Sequence, residues 1–167
     1  MSDNFSPKHT REIGSDFNIP LRVVFRGLIK NNHRSDTNKM LLASGRDALH
    51  WILKSLSVGS GDVALLPSYL CVEILKPFLD LNIKVEFYSI DSMMRIDAED
   101  LKAKLTPNVR ILLYINYWGF PLDIPITTED LTRYKSIVLE DNTHSLLSTA
   151  NNITTGHIRF ASYRKLL

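Results

Sequence analysis

A chain of 167 residues with a formal charge of +2 and 44% apolar residues has room for one sizeable core. It has neither the charge nor the composition of a disordered segment, a fibre or a nucleic-acid-binding patch. A single cysteine, Cys71, excludes an internal disulfide and a multi-cysteine zinc site. No apolar run approaches bilayer length and the start MSDNFSPKHTRE is polar, so the expected location is the cytoplasm.

Residues 1–38 are polar and mixed, broken by Pro7 and Pro20, with one short ordered element expected at PLRVVFRGLI (20–29). KNNHR (30–34) reads as a solvated basic loop. From residue 39 to the end the pattern becomes regular. Six apolar runs read as buried strands: KMLLA (39–43), DVALLP (62–67), KVEFYSI (84–90), VRILLYINY (109–117), SIVLED (136–141) and IRFASY (158–163). Near-continuous runs of this kind suit strands covered on both faces, as in a parallel sheet.

Helical patterns separate them. In RDALHWILKSL, Leu49, Ile52, Leu53 and Leu56 share a stripe. In LCVEILKPFLDL, Cys71, Ile74, Leu75, Phe78 and Leu79 do likewise, with Pro77 forcing a kink or a late start. DAEDLKAKL and TTEDLTRYK open with residues suited to a helix start. Alternation of strand and helix predicts an α/β domain: a mostly parallel sheet with helices on both faces.

In such sheets ligands bind at the carboxyl ends of the strands. After the first run, Ser44 and Gly45 turn into a helix whose free N–H groups, near Arg46 and Asp47, suit a phosphate or form an ordinary helix cap. After the second come Tyr69 and Cys71, which alone read as packing residues. After the fourth, Asn116, Tyr117 and Trp118 could wall a pocket or cover the sheet. After the fifth, Asp141 and His144 end an apolar strand, where a charge needs a partner. They could hold and orient a protonated heteroaromatic nitrogen, or be a cap and a surface histidine. After the sixth, Ser162 and Lys165 follow; a lysine at the end of a buried strand can become an amine nucleophile.

Taken in order, ASGRDAL, GSGDVALLPSYLC, FYSID, IDAEDL, TPNVRILLYINYWGFPLDI, IVLEDNTHS and SYRK resemble the DegT/StrS family of sugar aminotransferases, from about Leu41 to the end. The resemblance implies the large domain of a pyridoxal 5'-phosphate (PLP) enzyme of fold type I. It implies that Gly45 and the Arg46 amide, with Ser44, bind the cofactor phosphate, that Asp141 pairs with the pyridine nitrogen, and that His144 supports it. Lys165 would carry the cofactor as a Schiff base and then move protons. A keto-sugar substrate, nucleotide-linked, an amino donor such as glutamate and a homodimer are implied with it.

The chain departs from the family at four places. Cys71 stands where an aromatic residue usually stacks on the ring, and Arg46 replaces a threonine of the phosphate turn. The family's serine ligand of the cofactor phosphate lies five residues before the lysine, whereas Ser162, which would take that role, lies three before Lys165. Asn142 and Thr143 replace small residues. The resemblance also implies an antiparallel strand after the lysine, wedged between the first and sixth runs, and a small carboxyl-terminal domain. These 167 residues are therefore expected to be the amino-terminal part of a longer protein, or the product of a truncated or split gene. Three other readings compete: a non-catalytic remnant that binds a partner or nothing, an unrelated receiver-like α/β module, and a Rossmann dehydrogenase. The last two lack, respectively, an acidic cluster after the first strand and a glycine-rich dinucleotide turn.

Overall fold

The structure is a computed structural model that describes residues 40–120, 122, 124–145 and 156–163. The segments 20–29 and 30–34 and the lysine at 165 lie outside the described residues. The elements run α1 (Gly45–Ser55), β1 (Val63–Pro67), a 3-10 turn (Val72–Ile74), α2 (Leu75–Asp80), β2 (Lys84–Tyr88), α3 (Ala98–Lys104), β3 (Val109–Ile115), a second 3-10 turn (Tyr117–Gly119), α4 (Thr128–Tyr134), β4 (Ile137–Asp141) and β5 (Ile158–Phe160). All described strand pairs are parallel, in the order β2-β1-β3-β4-β5.

Alternation along the strands, offset at Val109 where the β1–β3 register shifts, sorts the strand residues into two cores. Ala64, Leu66, Ile111, Leu113, Leu139 and Phe160 face Leu49, Ile52 and Leu53 of α1 and Phe78 of α2. Val63, Leu65, Val109, Leu112, Tyr114 and Val138 face Leu101 of α3, with Leu131 and Tyr134 of α4 packed against that cluster. Helices therefore cover both faces, and β1, β3 and β4 are almost wholly buried because each lies between two strands and two helical layers.

Three of the described helices, α1, α3 and α4, begin where side chains supply acceptors for otherwise unpaired N–H groups, whereas α2 continues from the first 3-10 turn without a side-chain cap. The Ser44 hydroxyl accepts from the Asp47 amide at 3.1 Å to start α1. Asp97 Oδ1 accepts from the Glu99 and Asp100 amides to start α3. Thr127 and Asp130 form a reciprocal capping box on α4.

Three expectations need correction. Residues 40–43, from the KMLLA run, are not a strand; Met40 and Leu41 are 57% and 73% exposed. A strand requires a hydrogen-bonding neighbour, and none of the described strands lies alongside these residues. The 70–81 helix is split. Pro77 has no N–H to donate and is tolerated only in a first turn, so α2 opens at Leu75 and Pro77 is its third residue. That late start takes Cys71 off the stripe: its backbone is extended (φ −71°, ψ 127°) and its side chain exposed, and Leu79 is exposed as well. Finally, the strand runs end earlier than the apolar letters do, at Tyr88, Ile115 and Phe160. Ile90 forms only an isolated antiparallel bridge with Ile96, while Asn116 and Tyr117 turn off the sheet.

Candidate active site

The carboxyl ends of β1, β3, β4 and β5 converge with the first turn of α1. Asp141 is the last residue of β4 and is 4% exposed. Its Oδ1 accepts from the backbone N–H of Thr143 at 2.8 Å, a tight turn that folds the chain back over the strand end. The Thr143 hydroxyl then accepts from the Ser162 amide at 3.1 Å. One residue earlier, the Asn142 amide donates to the Phe160 carbonyl at 2.8 Å. These two bonds fasten the loop after β4 to the chain leaving β5.

Ser162 in turn lies against Gly45. A Cβ built on Gly45 would stand 3.1 Å from the Ser162 Cβ, tighter than ordinary van der Waals contact, so a side chain here would push the segment at 162 away by a few tenths of an ångström. Asp141, Thr143, Ser162 and Gly45 thus form one continuous chain of contacts from a buried carboxylate to a helix N-terminus. The Asp47 amide is capped by the Ser44 hydroxyl and the Ala48 amide by the Ser44 carbonyl. The Gly45 and Arg46 amides precede these and have no acceptor within the helix by its geometry.

The remaining expected residues are placed as follows. Ser44 is engaged as a helix cap, and its hydroxyl also donates to the Asp47 carboxylate at 2.7 Å. The Arg46 guanidinium pairs with Glu73 in the first 3-10 turn, which ties α1 to the segment after β1. Its side chain is committed there, leaving the backbone N–H as its contribution at the helix end. Cys71 is exposed at the start of that same turn. His144 is exposed on the rim and stacks on Trp118, with ring centroids 6.2 Å apart and planes 28° apart.

That stack belongs to a wider aromatic wall. Trp118 also lies 6.2 Å from Tyr69 and 5.8 Å from Tyr117, and the Tyr117 hydroxyl donates to the Tyr69 carbonyl. The wall therefore joins the ends of β1, β3 and β4. Burial, with Tyr69 and then Asp141 nearby, raises the Tyr117 hydroxyl above the ordinary tyrosine range, so it remains a protonated donor. Trp118 adopts φ 48°, a left-handed conformation uncommon for a bulky residue.

On the opposite face of β4, Glu140 is 3% exposed, and its Oε1 accepts from the Asn116 amide at 2.7 Å. Asn116 also donates to Asn142 Oδ1 at 2.6 Å and accepts from the Leu122 amide at 3.1 Å. Sequence reasoning missed Glu140 and gave Thr143 no role beyond a departure from small residues. The signal for both was available: a polar residue on each face of an otherwise apolar strand end must find partners.

The residues present suit a PLP molecule by their chemistry. A glycine cradle at a helix N-terminus matches a phosphate, and a buried carboxylate matches a ring nitrogen. An aromatic wall stands beside them. The lysine at 165, three positions beyond Ser162 in sequence, lies outside the described residues.

The parallel five-stranded α/β sheet with helices on both faces is that of the large domain of fold type I PLP-dependent enzymes, the fold of the solved structures that the chain resembles. The description of the DegT/DnrJ/EryC1/StrS aminotransferase family matches residues 30–163, and the chain belongs to that family. Over 115 residues it is 26% identical to the UDP-4-amino-4-deoxy-L-arabinose–oxoglutarate aminotransferase of Shewanella sediminis, covering 68% of this chain and 30% of that protein. It is 25% identical to S. venezuelae DesV, solved in complex with a ketimine intermediate, with a TM-score of 0.54 over 61% of this chain and 28% of DesV. It also resembles the H188N mutant of GDP-4-keto-6-deoxymannose-3-dehydratase (ColD) with bound GDP-perosamine. That match is 24% identical, with a TM-score of 0.54 over 72% of this chain and 31% of ColD. The chain thus spans about a third or less of the length of these relatives.

Proposed function

We propose that this chain supplies the PLP-binding part of a cytoplasmic aminotransferase that transfers an amino group to a keto-sugar. The substrate is nucleotide-linked, glutamate is the donor, and the working unit is a homodimer. The observation that carries this reading is the unbroken path from the buried Asp141 carboxylate through Thr143 and Ser162 to Gly45. This path brings the buried carboxylate and the first residue of α1 to the same edge of the sheet, which supports reading them as the ring-nitrogen partner and the phosphate end. The sugar class is supported by family membership and by relatives whose names specify nucleotide sugars.

PLP, when bound, supplies an electron sink for the bond-breaking step at the amino donor. The chain's own residues do the rest. The Gly45 and Arg46 amides bind the phosphate, aided by the positive end of α1. Asp141, shielded from water, holds a proton at the pyridine nitrogen. His144, braced by Trp118, supports that carboxylate end of the site. Lys165 would hold the cofactor through its side-chain amine and, once displaced by the amino donor, would act as general base and then general acid in the 1,3-proton shift. Tyr69 and Trp118 screen the mouth of the crevice from solvent.

The reading is tested by titrating the purified protein with PLP and then adding glutamate and a nucleotide-linked keto-sugar in turn. A visible absorption band that forms with PLP, bleaches with glutamate and returns with the keto-sugar is expected. A protein that binds no PLP in any oligomeric state would instead establish a non-catalytic chain.

A further inference from the structure

We infer that Thr143 is a positioning residue for the phosphate end of the site, an inference that rests on and deepens the function proposed above. Thr143 makes two hydrogen bonds of different kinds. Its backbone N–H donates to Asp141 Oδ1 at 2.8 Å, and its hydroxyl accepts from the Ser162 N–H at 3.1 Å. The first contact is available to any residue except proline. The second requires a side-chain oxygen at this position.

Geometry shows what that oxygen does. Beyond Asp141 the parallel ladder between β4 and β5 ends, with Asp141 opposite Phe160. The Asn142 amide donates to the Phe160 carbonyl, the last backbone bond of the two chains. The Thr143 hydroxyl then takes the place of the next ladder acceptor and holds the chain at residue 162 in line. Held there, Ser162 sits against Gly45, so closely that a Cβ on Gly45 would stand 3.1 Å from the Ser162 Cβ. The anion end of the crevice is therefore built from two pieces of chain, the first turn of α1 and the segment at 162, and the Thr143 hydroxyl fixes the distance between them. A residue without a hydroxyl would free the 162 segment and leave the Asp141 turn intact.

This separation makes the inference testable with Thr143→Val, which keeps the shape and the backbone N–H, and Thr143→Ser, which keeps the hydroxyl. Affinities are measured for PLP and for pyridoxal, which has the same ring and aldehyde but no phosphate. Hydrogen exchange of the Ser162 amide is followed without either compound. In Thr143→Val, PLP affinity is expected to fall about tenfold, the scale of one lost hydrogen bond. Pyridoxal affinity should stay unchanged, and Ser162 exchange should speed up. Thr143→Ser should give wild-type values in all three readings.

Equal losses for PLP and pyridoxal, a Thr143→Val protein that binds PLP like wild type, or failure of Thr143→Ser to restore binding would each overturn the inference. Wild-type protein that binds neither compound would overturn the proposed function. Faster Ser162 exchange in Thr143→Val would then still confirm the contact itself, so the two failures are told apart.

Discussion

Gly45→Ala is the sharpest perturbation of the phosphate turn, because its effects on folding and on binding separate. Gly45 is the first residue of α1 and does not have a positive φ, so alanine is compatible with its backbone. Replacing glycine at such a position stabilises by roughly 0.4–1 kcal/mol through the unfolded chain. Against this, the new Cβ would stand 3.1 Å from the Ser162 Cβ, and the segment at 162 must give by a few tenths of an ångström. Overpacking of this kind costs about 1–3 kcal/mol. The net loss of stability is therefore about 0–2.6 kcal/mol, small enough for the fold to survive.

Binding should respond more strongly. A hydrogen bond to a charged phosphate contributes about 1.5–3 kcal/mol, so displacing one contributor at the helix end predicts a ten- to hundredfold loss of PLP affinity, in order of magnitude. Urea unfolding gives the first quantity, and a titration followed by visible absorbance gives the second. Wild-type PLP affinity in Gly45→Ala would refute the assignment of this turn. So would a stability loss well above 3 kcal/mol with affinity retained, which would mark Gly45 as a packing residue.

Other consequences follow from the cores and charges. Leu139 is fully buried in the cluster under α1, two residues before Asp141. Leu139→Ala should lower the unfolding free energy by about 2–5 kcal/mol, and a loss below 1 kcal/mol in urea unfolding would contradict the packing described. Asp100 lies below the ordinary aspartate range, chiefly through the Lys104 ammonium that bonds it, with the Ser89 amide contributing. A lowered folded-state pKa means stability that is present above the unfolded value near 3.9 and lost as pH falls through the folded one. Asp100→Asn should therefore be less stable than wild type at pH 7, with the gap narrowing as pH falls below the unfolded value, and a gap that does not narrow would refute the sign. The Tyr117 hydroxyl joins the ends of β1 and β3. Tyr117→Phe should cost about 1 kcal/mol, and no change in unfolding would remove that bond from the account.

The α/β alternation was readable in the letters because a buried parallel strand and an amphipathic helix leave different periodicities. DVALLP and RDALHWILKSL became β1 and α1 within a residue or two, since their signals are local. KMLLA failed for a non-local reason. Its apolar letters state a preference for burial, whereas a strand also needs a neighbour, and none of the described strands lies beside it. Cys71 failed through Pro77, whose missing N–H moved the helix start four residues past it.

The candidate site was legible as an ordered series of strand ends, but not as contacts. The letters at 141–143 do not reveal that Thr143 spans from Asp141 to Ser162, because that bond depends on where β5 ends. The Trp118–His144 stack was equally hidden, since it depends on a left-handed backbone at a residue whose side chain argues against one. In both cases the decisive partner comes from another strand, about 19 and 26 residues away in sequence, beyond the reach of local pattern.

The account is tested most directly by reducing the PLP-treated protein with borohydride and mapping the modified peptide by mass spectrometry. A single pyridoxyl group on Lys165, absent when Lys165→Ala is treated in the same way, is the predicted result. Reduction that leaves Lys165 unmodified, or that labels other lysines equally, would contradict it.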